Sequence, residues 1–585
     1  MLIQQRTVPT TPGLSGLDPL LARLYAARHI DDRAQLDLAT SAMLPPSGLQ
    51  GIDQAVDLLW ALLQQQARIL VVSDFDADGA TSCALALRAL KSMGFQSVDY
   101  IVPDRFTYGY GLSPAIVAMA HTRQPDLIIT VDNGISSHEG VLAARELGIK
   151  VLITDHHLPS AELPEADAIV NPNQSNCRFA SKALAGVGVV FYLMLALRAH
   201  LRLQGWFETQ QVPEPKLADL LDLVALGTVA DLVPLDQNNR ILVNEGLRRI
   251  RQGRACPGIL ALLEVGRRSP ASLVASDLGF TVGPRLNAAG RLEDMSLGIA
   301  CLLADDANLA RDLAVRLDSI NEERKRIESE MKTQALHVLE AMQANLLPFA
   351  SGDLAQLPAG LCLYDATWHQ GVVGIVAARV KELYYRPVIV FADANTDGQP
   401  GTEIKGSARS VTGLHIRDVL DEIASQNPGL INKFGGHAMA AGLSLERERL
   451  PEFKQAFERA VSRHLDESML QKRLLTDGEL PVQALSINTA RLIRDAGPWG
   501  QGFPEPLFEG IFDCLSVRVL GNKHLKFVVS PPGQKLAIDA IMFNVSAEKM
   551  DVAHNSRVRL VYKMDINDYR GQQMLQLMVE YFESV

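Results

Sequence analysis

The chain has 585 residues, of which 47% are hydrophobic and 21% charged, and its formal net charge is −11. That composition excludes disordered, collagen-like and disulfide-scaffold proteins and leaves room for about three or four globular domains with sizeable cores. The acidic balance argues mildly against a nucleic-acid partner, but it says nothing of local grooves, and a metal-binding acid cluster would account for part of it. The six cysteines (Cys83, Cys177, Cys256, Cys301, Cys362 and Cys514) include no C-x-x-C pair. Neither a disulfide framework nor structural zinc is therefore expected, and a reducing, cytoplasmic setting is. Residues 1–8 lack an apolar core of signal-peptide length. The most apolar stretch, 183–197, is shorter than a spanning helix and reads as a buried core helix, so no membrane association is expected.

Residues 1–48, with Pro9, Pro12, Pro45 and Pro46, read as an N-terminal cap. A domain over 49–240 opens with a helix at 52–66. Three apolar runs follow at intervals, each ending in acid. Ile69-Leu70-Val71-Val72-Ser73 leads into Asp74-Phe75-Asp76-Ala77-Asp78-Gly79; residues 127–131 lead into Asp132-Asn133-Gly134; residues 151–154 lead into Asp155-His156-His157. Such β-branched runs, separated by helical patterns at 80–93 and 137–146, read as buried parallel strands of an α/β sheet. Ligands bind such sheets at the carboxyl ends of the strands, where all these acids fall. Five carboxylates and two imidazoles converging there need a compensating cation, and hard oxygen donors mixed with imidazole suit Mn²⁺ or Mg²⁺.

Between the first two acidic runs, residues 97–102 form a further strand. The loop 104–112, with Arg105, Phe106, Tyr108 and Tyr110, reads either as a substrate contact that stacks bases or as a surface loop. A helix at 217–226 ends in Gly227-Thr228-Val229-Ala230-Asp231, where Asp231 is a helix-end acid or a further metal ligand. Residues 240–266 are expected to be helical. Gly283-Pro284-Arg285-Leu286-Asn287-Ala288-Ala289-Gly290-Arg291 reads as a glycine-bounded loop whose arginines, Arg285 and Arg291, either grip phosphates or form structural salt bridges. Residues 307–344 have the period of one helix, about 55 Å long at about 1.5 Å per residue, which completes a helical connector over 241–345.

A second α/β domain is expected over 346–465. Lys405-Gly406-Ser407-Ala408-Arg409-Ser410 and Phe434-Gly435-Gly436-His437 match no metal spacing, and phosphate or nucleotide binding is the preferred reading. Over 470–585 the short alternating runs suggest a small barrel, with an OB-fold as one candidate.

The motifs Asp74-x-Asp76-x-Asp78-Gly79, Val131-Asp132-Asn133-Gly134, Asp155-His156-His157 and Gly227-Thr228-Val229-Ala230-Asp231 resemble those of the DHH phosphoesterase superfamily. Segments 283–291, 406–410 and 435–442 narrow the resemblance to its bacterial exonucleases specific for single-stranded DNA. It covers roughly residues 69–585. It implies a DHH catalytic domain and a DHH-associated domain joined by a long helix, followed by an OB-like barrel. The implied activity is 5′-to-3′ degradation of single-stranded DNA to mononucleotides with Mn²⁺ or Mg²⁺, in recombinational and mismatch repair. The implied partners are single-strand-binding protein and a RecQ-type helicase, and the implied state is a monomer. By motif position, Asp76, Asp78, Asp132, His156 and Asp231 would be metal ligands and Asp74 a ligand or near neighbour. Asp155 would orient the adjacent imidazole and His157 would face the scissile phosphate. Tyr110, Arg285, Arg291, Ser407, Arg409 and His437 would contact the nucleic acid. Two alternatives stand beside this reading: a phosphoesterase of short oligonucleotides or cyclic dinucleotides, and an inactive single-strand-binding scaffold.

Overall fold

The computed structural model describes residues 1–11, 13–104, 107–108, 110–346, 358–396, 399–521, 523–545, 557–569 and 571–585. The chain opens on a short strand, β1 (Leu2–Gln5), which pairs in parallel with Arg473–Thr476 (β12) far along the sequence. A parallel sheet follows, with β2 (Ile69–Ser73), β3 (Val98–Ile101), β4 (Leu127–Val131), β5 (Lys150–Thr154) and β6 (Ala168–Val170) in the order β3-β2-β4-β5-β6. Every residue of β2 and β4 is buried, because helices cover both faces of the sheet. Helices Ile52–Gln64, Ala77–Ser92 and Gly186–Leu203 pack in the larger core on one face, and Pro114–His121 and His138–Glu146 in a smaller core on the other. The chain reverses its direction of travel across the sheet between β2 and β4, and this opens the crevice at their carboxyl ends.

The apolar stretch expected near 183–197 lies in helix Gly186–Leu203, which is long and apolar enough to cross a membrane but is mostly buried inside the protein. Three other expectations are corrected. The 217–226 helix is a 3-10 turn, Leu217–Leu220, followed by Leu221–Ala230, which runs straight through Gly227. The 240–266 region is two helices, Gln237–Arg251 and Pro257–Val265, parted at Gly253, whose φ of 68° ends the first. The segment 283–291 is not a loop. It lies in helix Gly283–Leu292, entered through a π-helical turn, Leu278–Val282.

Helix Ala307–Leu346 has 40 residues and joins two cores. Its Ala310, Ala314 and Leu317 belong to the larger core of the parallel-sheet domain, whereas Met331, Ala335 and Leu339 pack with the next domain. Arg326 bridges Glu323 and Glu330 on the exposed side, so this charged face is a solvated one. The second domain is a mixed sheet of β7 (Leu361–Tyr364), β8 (Val388–Thr396), β9 (Gln399–Arg409), β10 (Lys433–Gly436) and β11 (Ala440–Glu446), ordered β10-β11-β9-β8-β7. The C-terminal barrel closes β13 (Phe508–Leu520), β14 (His524–Ser530), β15 (Ile538–Met542), β17 (Gln572–Ser584) and β16 (Arg557–Tyr569) in that order. Three of these strands have 13 residues, longer than the short runs visible in the sequence.

The N-terminal segment ties the barrel to the parallel-sheet domain. Arg28 donates from both terminal nitrogens to the Asp477 carboxylate at 2.9 and 3.0 Å, and from Nε to the Pro504 carbonyl at 2.6 Å. Both side chains are almost fully buried. Asp477 also accepts the Leu507 N–H at 2.9 Å, just before β13. The Tyr25 hydroxyl donates to the Ala496 carbonyl at 2.9 Å, and Leu24 lies in the barrel core. Removing one partner of such a buried pair strands the other charge and costs about 3–5 kcal/mol. Arg28→Ala should therefore destabilise the barrel transition in urea unfolding by about 3 kcal/mol or more. An unchanged midpoint would show that Arg28 is not the tie.

Candidate metal centre

Each acid in the crevice is placed by a backbone constraint. Asp76 is the N-cap of helix Ala77–Ser92, its Oδ1 accepting the N–H groups of Asp78 and Gly79 at 2.9 and 3.0 Å. Asp78, in the first turn of that helix and fully buried, caps a different helix: its two carboxylate oxygens accept the Gly186 and Val187 N–H groups at 2.6 and 3.0 Å. Asp132 follows β4 in the left-handed region, with φ of 63°, a conformation Asp tolerates better than most residues. Its neighbour Asn133 donates to the Val72 and Val131 carbonyls and so ties the ends of β2 and β4 together. Asp231 caps the carboxyl end of helix Leu221–Ala230.

Asp155 is fully buried and has four donors around it. Oδ1 accepts the N–H groups of His156 and His157 and the His157 Nδ1–H at 2.7, 3.1 and 2.7 Å, and Oδ2 accepts the Ile135 N–H at 2.9 Å. The ring it orients is that of His157, two residues on. Burial acts to raise the Asp155 pKa, but the hydrogen bond and charge of His157 and the Ile135 N–H hold it below the usual value. Burial likewise acts to lower the His157 pKa, and Asp155 overrides it and lifts the imidazole to about 9. The His156 ring makes no such hydrogen bond to a carboxylate among the described residues; burial and the neighbouring His157 lower its pKa to about 4.

The donor atoms fall into three overlapping groups, each within 4.8 Å: Asp74, Asp76 and Asp132; Asp132, His156 and His157; and Asp78, His156 and Asp231. Asp132 belongs to the first two, and His156 links the second to the third. His156 Nε2 lies 3.1 Å from Asp132 Oδ1 and 3.5 Å from Asp231 Oδ2. Yet Nε2 and Asp132 Oδ1 are both buried without a hydrogen-bond partner among the described residues. Burial, and then the neighbouring carboxylates, raise Asp78 to about 7 and lift Asp132 and Asp231 well above the usual carboxylate range. Orphaned donors beside crowded acids are what a divalent cation would resolve, and the oxygen-plus-imidazole set fits Mn²⁺ or Mg²⁺.

The other residues singled out from sequence divide. Tyr110 reaches the centre: its hydroxyl donates to the Asp132 carbonyl at 3.1 Å and lies 3.1 Å from His157 Nδ1. Arg105 and Phe106 of the same loop lie outside the described residues. Arg285 is buried, donating to the Thr281 carbonyl at 2.6 Å and pairing with Asp318 at 2.8 Å, so the salt bridge left open by the sequence does form. Arg291 turns toward the second domain, 3.3 Å from the Gly371 carbonyl. On β9, Arg409 donates to Ser407 Oγ at 3.0 Å, and both crowd Gly374 at the start of helix Val373–Tyr384. His437 is exposed in the turn between β10 and β11; burial and then the charge of His157 lower its pKa, so the second domain brings it within electrostatic reach of the metal centre.

Several residues that build the centre were not singled out from sequence. Asn171 and Asn173, just after β6, donate to the His157 and His156 carbonyls at 2.9 and 2.5 Å. Their place at the carboxyl end of a parallel strand was a legible signal. Asn287 accepts the Ala77 N–H at 2.8 Å, and a Cβ at Gly290 would lie 1.9 Å from the Phe75 carbonyl. Helix Gly283–Leu292 therefore braces the Asp74–Asp78 turn. Gly227 serves a close crossing as well: a Cβ there would meet Thr81 Oγ1 at 2.3 Å and Asp78 Oδ1 at 2.7 Å.

Family models match three stretches of the chain: the DHH family N-terminal domain at residues 68–228, the DHHA1 domain at 358–463 and the RecJ OB domain at 476–581. The chain is 52% identical over 579 residues to the single-stranded-DNA-specific exonuclease RecJ of Escherichia coli K12, covering 99% of this chain and 98% of that protein. It is 50% identical over 586 residues to RecJ of Haemophilus influenzae, covering 100% and 99%. It also resembles the crystal structure of RecJ from Thermus thermophilus in complex with Mn²⁺, with a TM-score of 0.78 and 28% identity over 99% of this chain and 79% of that one. The Mg²⁺ complex of that protein gives a TM-score of 0.71 at 28% identity, over 99% and 78%.

A Cβ added at Gly186 would lie 2.6 Å from Asp132 Oδ1 and 2.7 Å from Asp132 Cβ. Gly186→Ala should displace that carboxylate and weaken Mn²⁺ binding by about tenfold or more, the scale seen when a ligand's support is lost. Isothermal titration reads the affinity, with circular dichroism as the folding control. Wild-type affinity in a folded variant would show that the crossing tolerates the methyl group.

Proposed function

The chain belongs to the RecJ family, and on that premise we propose that it degrades single-stranded DNA from the 5′ end to mononucleotides by metal-dependent phosphodiester hydrolysis. The observation that carries the reading is the buried, unpartnered pair His156 Nε2 and Asp132 Oδ1 among carboxylates whose pKa values burial raises. Asp74, Asp76, Asp78, Asp132, His156 and Asp231 would hold Mn²⁺ or Mg²⁺. When bound, the ions supply a water of lowered pKa and offset charge on the phosphate oxygens.

The chain's own residues do the rest. Asp155 fixes the His157 ring by its Nδ1 at 2.7 Å and favours its protonated form, so the ring can donate to a phosphate oxygen at neutral pH. Tyr110 closes over that ring, with centroids 5.7 Å apart and an edge-on geometry, and limits its rotation. Ser407 and Arg409, hydrogen-bonded to each other at 3.0 Å, would receive a phosphate from the second-domain side. Arg291 and His437 would line the strand's path between the two domains. Arg285 would act through its Asp318 pair, holding the brace helix to the long helix.

Several finer points belong to this reading: a monomeric, cytoplasmic enzyme of repair and recombination, supplied with single strands by a RecQ-type helicase and assisted by single-strand-binding protein. A phosphoesterase of short oligonucleotides fits less well, because a closed barrel stands beside the catalytic domain and provides surface for a longer strand. An inactive scaffold would not need the complete set of acids.

Digestion of 5′-labelled and 3′-labelled single strands with Mn²⁺ tests the proposal. The 5′ label should be released at once as mononucleotide while the 3′-labelled strand shortens progressively, and duplex should stay intact. Asp132→Ala should lower the rate by at least about 100-fold, more than losses in a ligand's supporting shell. Cleavage confined to very short oligonucleotides would transfer the chain to the second reading.

A further inference from the structure

A cavity of about 500 Å³ lies at the carboxyl end of helix Leu221–Ala230, walled by that helix end, the π-helical turn Leu278–Val282, the 494–504 segment and Lys563 of the barrel. Ala230 and Leu232, which flank Asp231, line it, and so does Asn287, which braces the Asp74–Asp78 turn. The cavity thus abuts the chain segment that carries Asp231 and the helix that braces the Asp74–Asp78 turn. At its rim Phe280 is 82% exposed and Leu232 66% exposed. Neither exposure is an accident of a loose loop. Phe280 stands between Leu278, Thr281 and Val282, all buried, so its backbone is anchored on both sides. Leu232 adopts φ of 60°, a left-handed conformation that a leucine takes up only when its surroundings impose it. Two rigidly presented apolar side chains held in water beside a catalytic centre point to a ligand.

The chemistry of the wall says which part of a ligand. Lys563 is paired with Glu505 at 3.3 Å and Glu580 at 3.2 Å, and Arg494 lies 3.6 Å from Asp495. These cations leave little surplus charge for a phosphate. Arg251, also in the wall, donates to the Leu273 carbonyl at 2.8 Å, and a few uncharged polar groups stand among the rest. The larger part of the wall is apolar and, with Trp499 in it, suits the flat face of a nucleobase.

We propose that Phe280 and Leu232 form a base-stacking subsite that seats one unpaired base of the DNA strand next to the metal centre. This rests on the exonuclease reading and deepens it into a source of single-strand selectivity. A base in a duplex has both faces covered by its neighbours and its edge engaged, so it cannot enter the subsite without unpairing. Stacking accepts every base, so the selection is for strandedness and not for sequence.

The test is binding of a short oligonucleotide with uncleavable phosphorothioate linkages in Mg²⁺, read by fluorescence anisotropy. Phe280→Ala should weaken binding about tenfold, within the range of a lost base–aromatic stack. Phe280→Tyr should restore it, and Phe280→Leu, which keeps apolar area without a π face, should not. Scanning an abasic site along the strand should find one position where wild type suffers the same loss and Phe280→Ala adds nothing. Mn²⁺ affinity should stay at the wild-type value in all three variants. Unchanged binding by Phe280→Ala, or an equal loss at every abasic position, overturns the subsite while leaving the exonuclease reading intact if wild type still cuts the normal strand. If wild type neither binds nor cuts single strands, the parent reading fails and takes the subsite with it.

Discussion

Mutual repulsion among buried carboxylates is the constraint around which this molecule is built. Asp74, Asp78, Asp132 and Asp155 are buried within a few residues of three strand ends, with Asp76 and Asp231 beside them. Burial alone would protonate most of them. The fold answers with oriented N–H groups. Asp76 takes the first N–H groups of its own helix, Asp78 those of helix Gly186–Leu203, and Asp155 three backbone N–H groups and an imidazole. Helix N-termini carry partial positive charge and suit this task. The offset is enough for Asp155, which stays below its usual pKa, and not for Asp132. That difference separates the acid whose role is to orient a ring from the acids that await a cation.

The rest of the architecture serves access to that centre. The long helix shares its two ends between the first core and the second domain, and Arg291 adds a direct link at 3.3 Å to the Gly371 carbonyl. The barrel is fastened independently, through β1, Tyr25 and the buried Arg28–Asp477 pair. A strand reaching the metals from the barrel side would pass Phe280 and Leu232, and one reaching the second domain would meet Ser407 and Arg409.

Much of this was legible in the chain. Each acidic motif follows a β-branched run, and period and composition alone make such runs buried parallel strands. Because the side chains at the carboxyl end of a parallel strand share one crevice, the convergence of Asp74, Asp132, Asp155 and the two histidines follows from the pattern before any coordinate is known. The breakless helix of 307–344 and the barrel pattern after residue 470 were likewise local signals.

What the sequence could not decide was which neighbour each group would meet. Gly283 to Arg291 reads locally as a flexible loop because glycine and proline disfavour helix. It is a helix because Gly290 must pass the Phe75 carbonyl and Asn287 must meet the Ala77 N–H, contacts made across some two hundred residues of chain. Arg285 found Asp318, Asp155 found the second histidine and not the first, and Gly227 proved to be a helix crossing where a terminus was expected. Local propensity and period determined the strands, the helices and the chemical types at the centre. Long-range packing, which no local pattern encodes, decided the partners, and with them which charges are held by the protein and which are left for a metal.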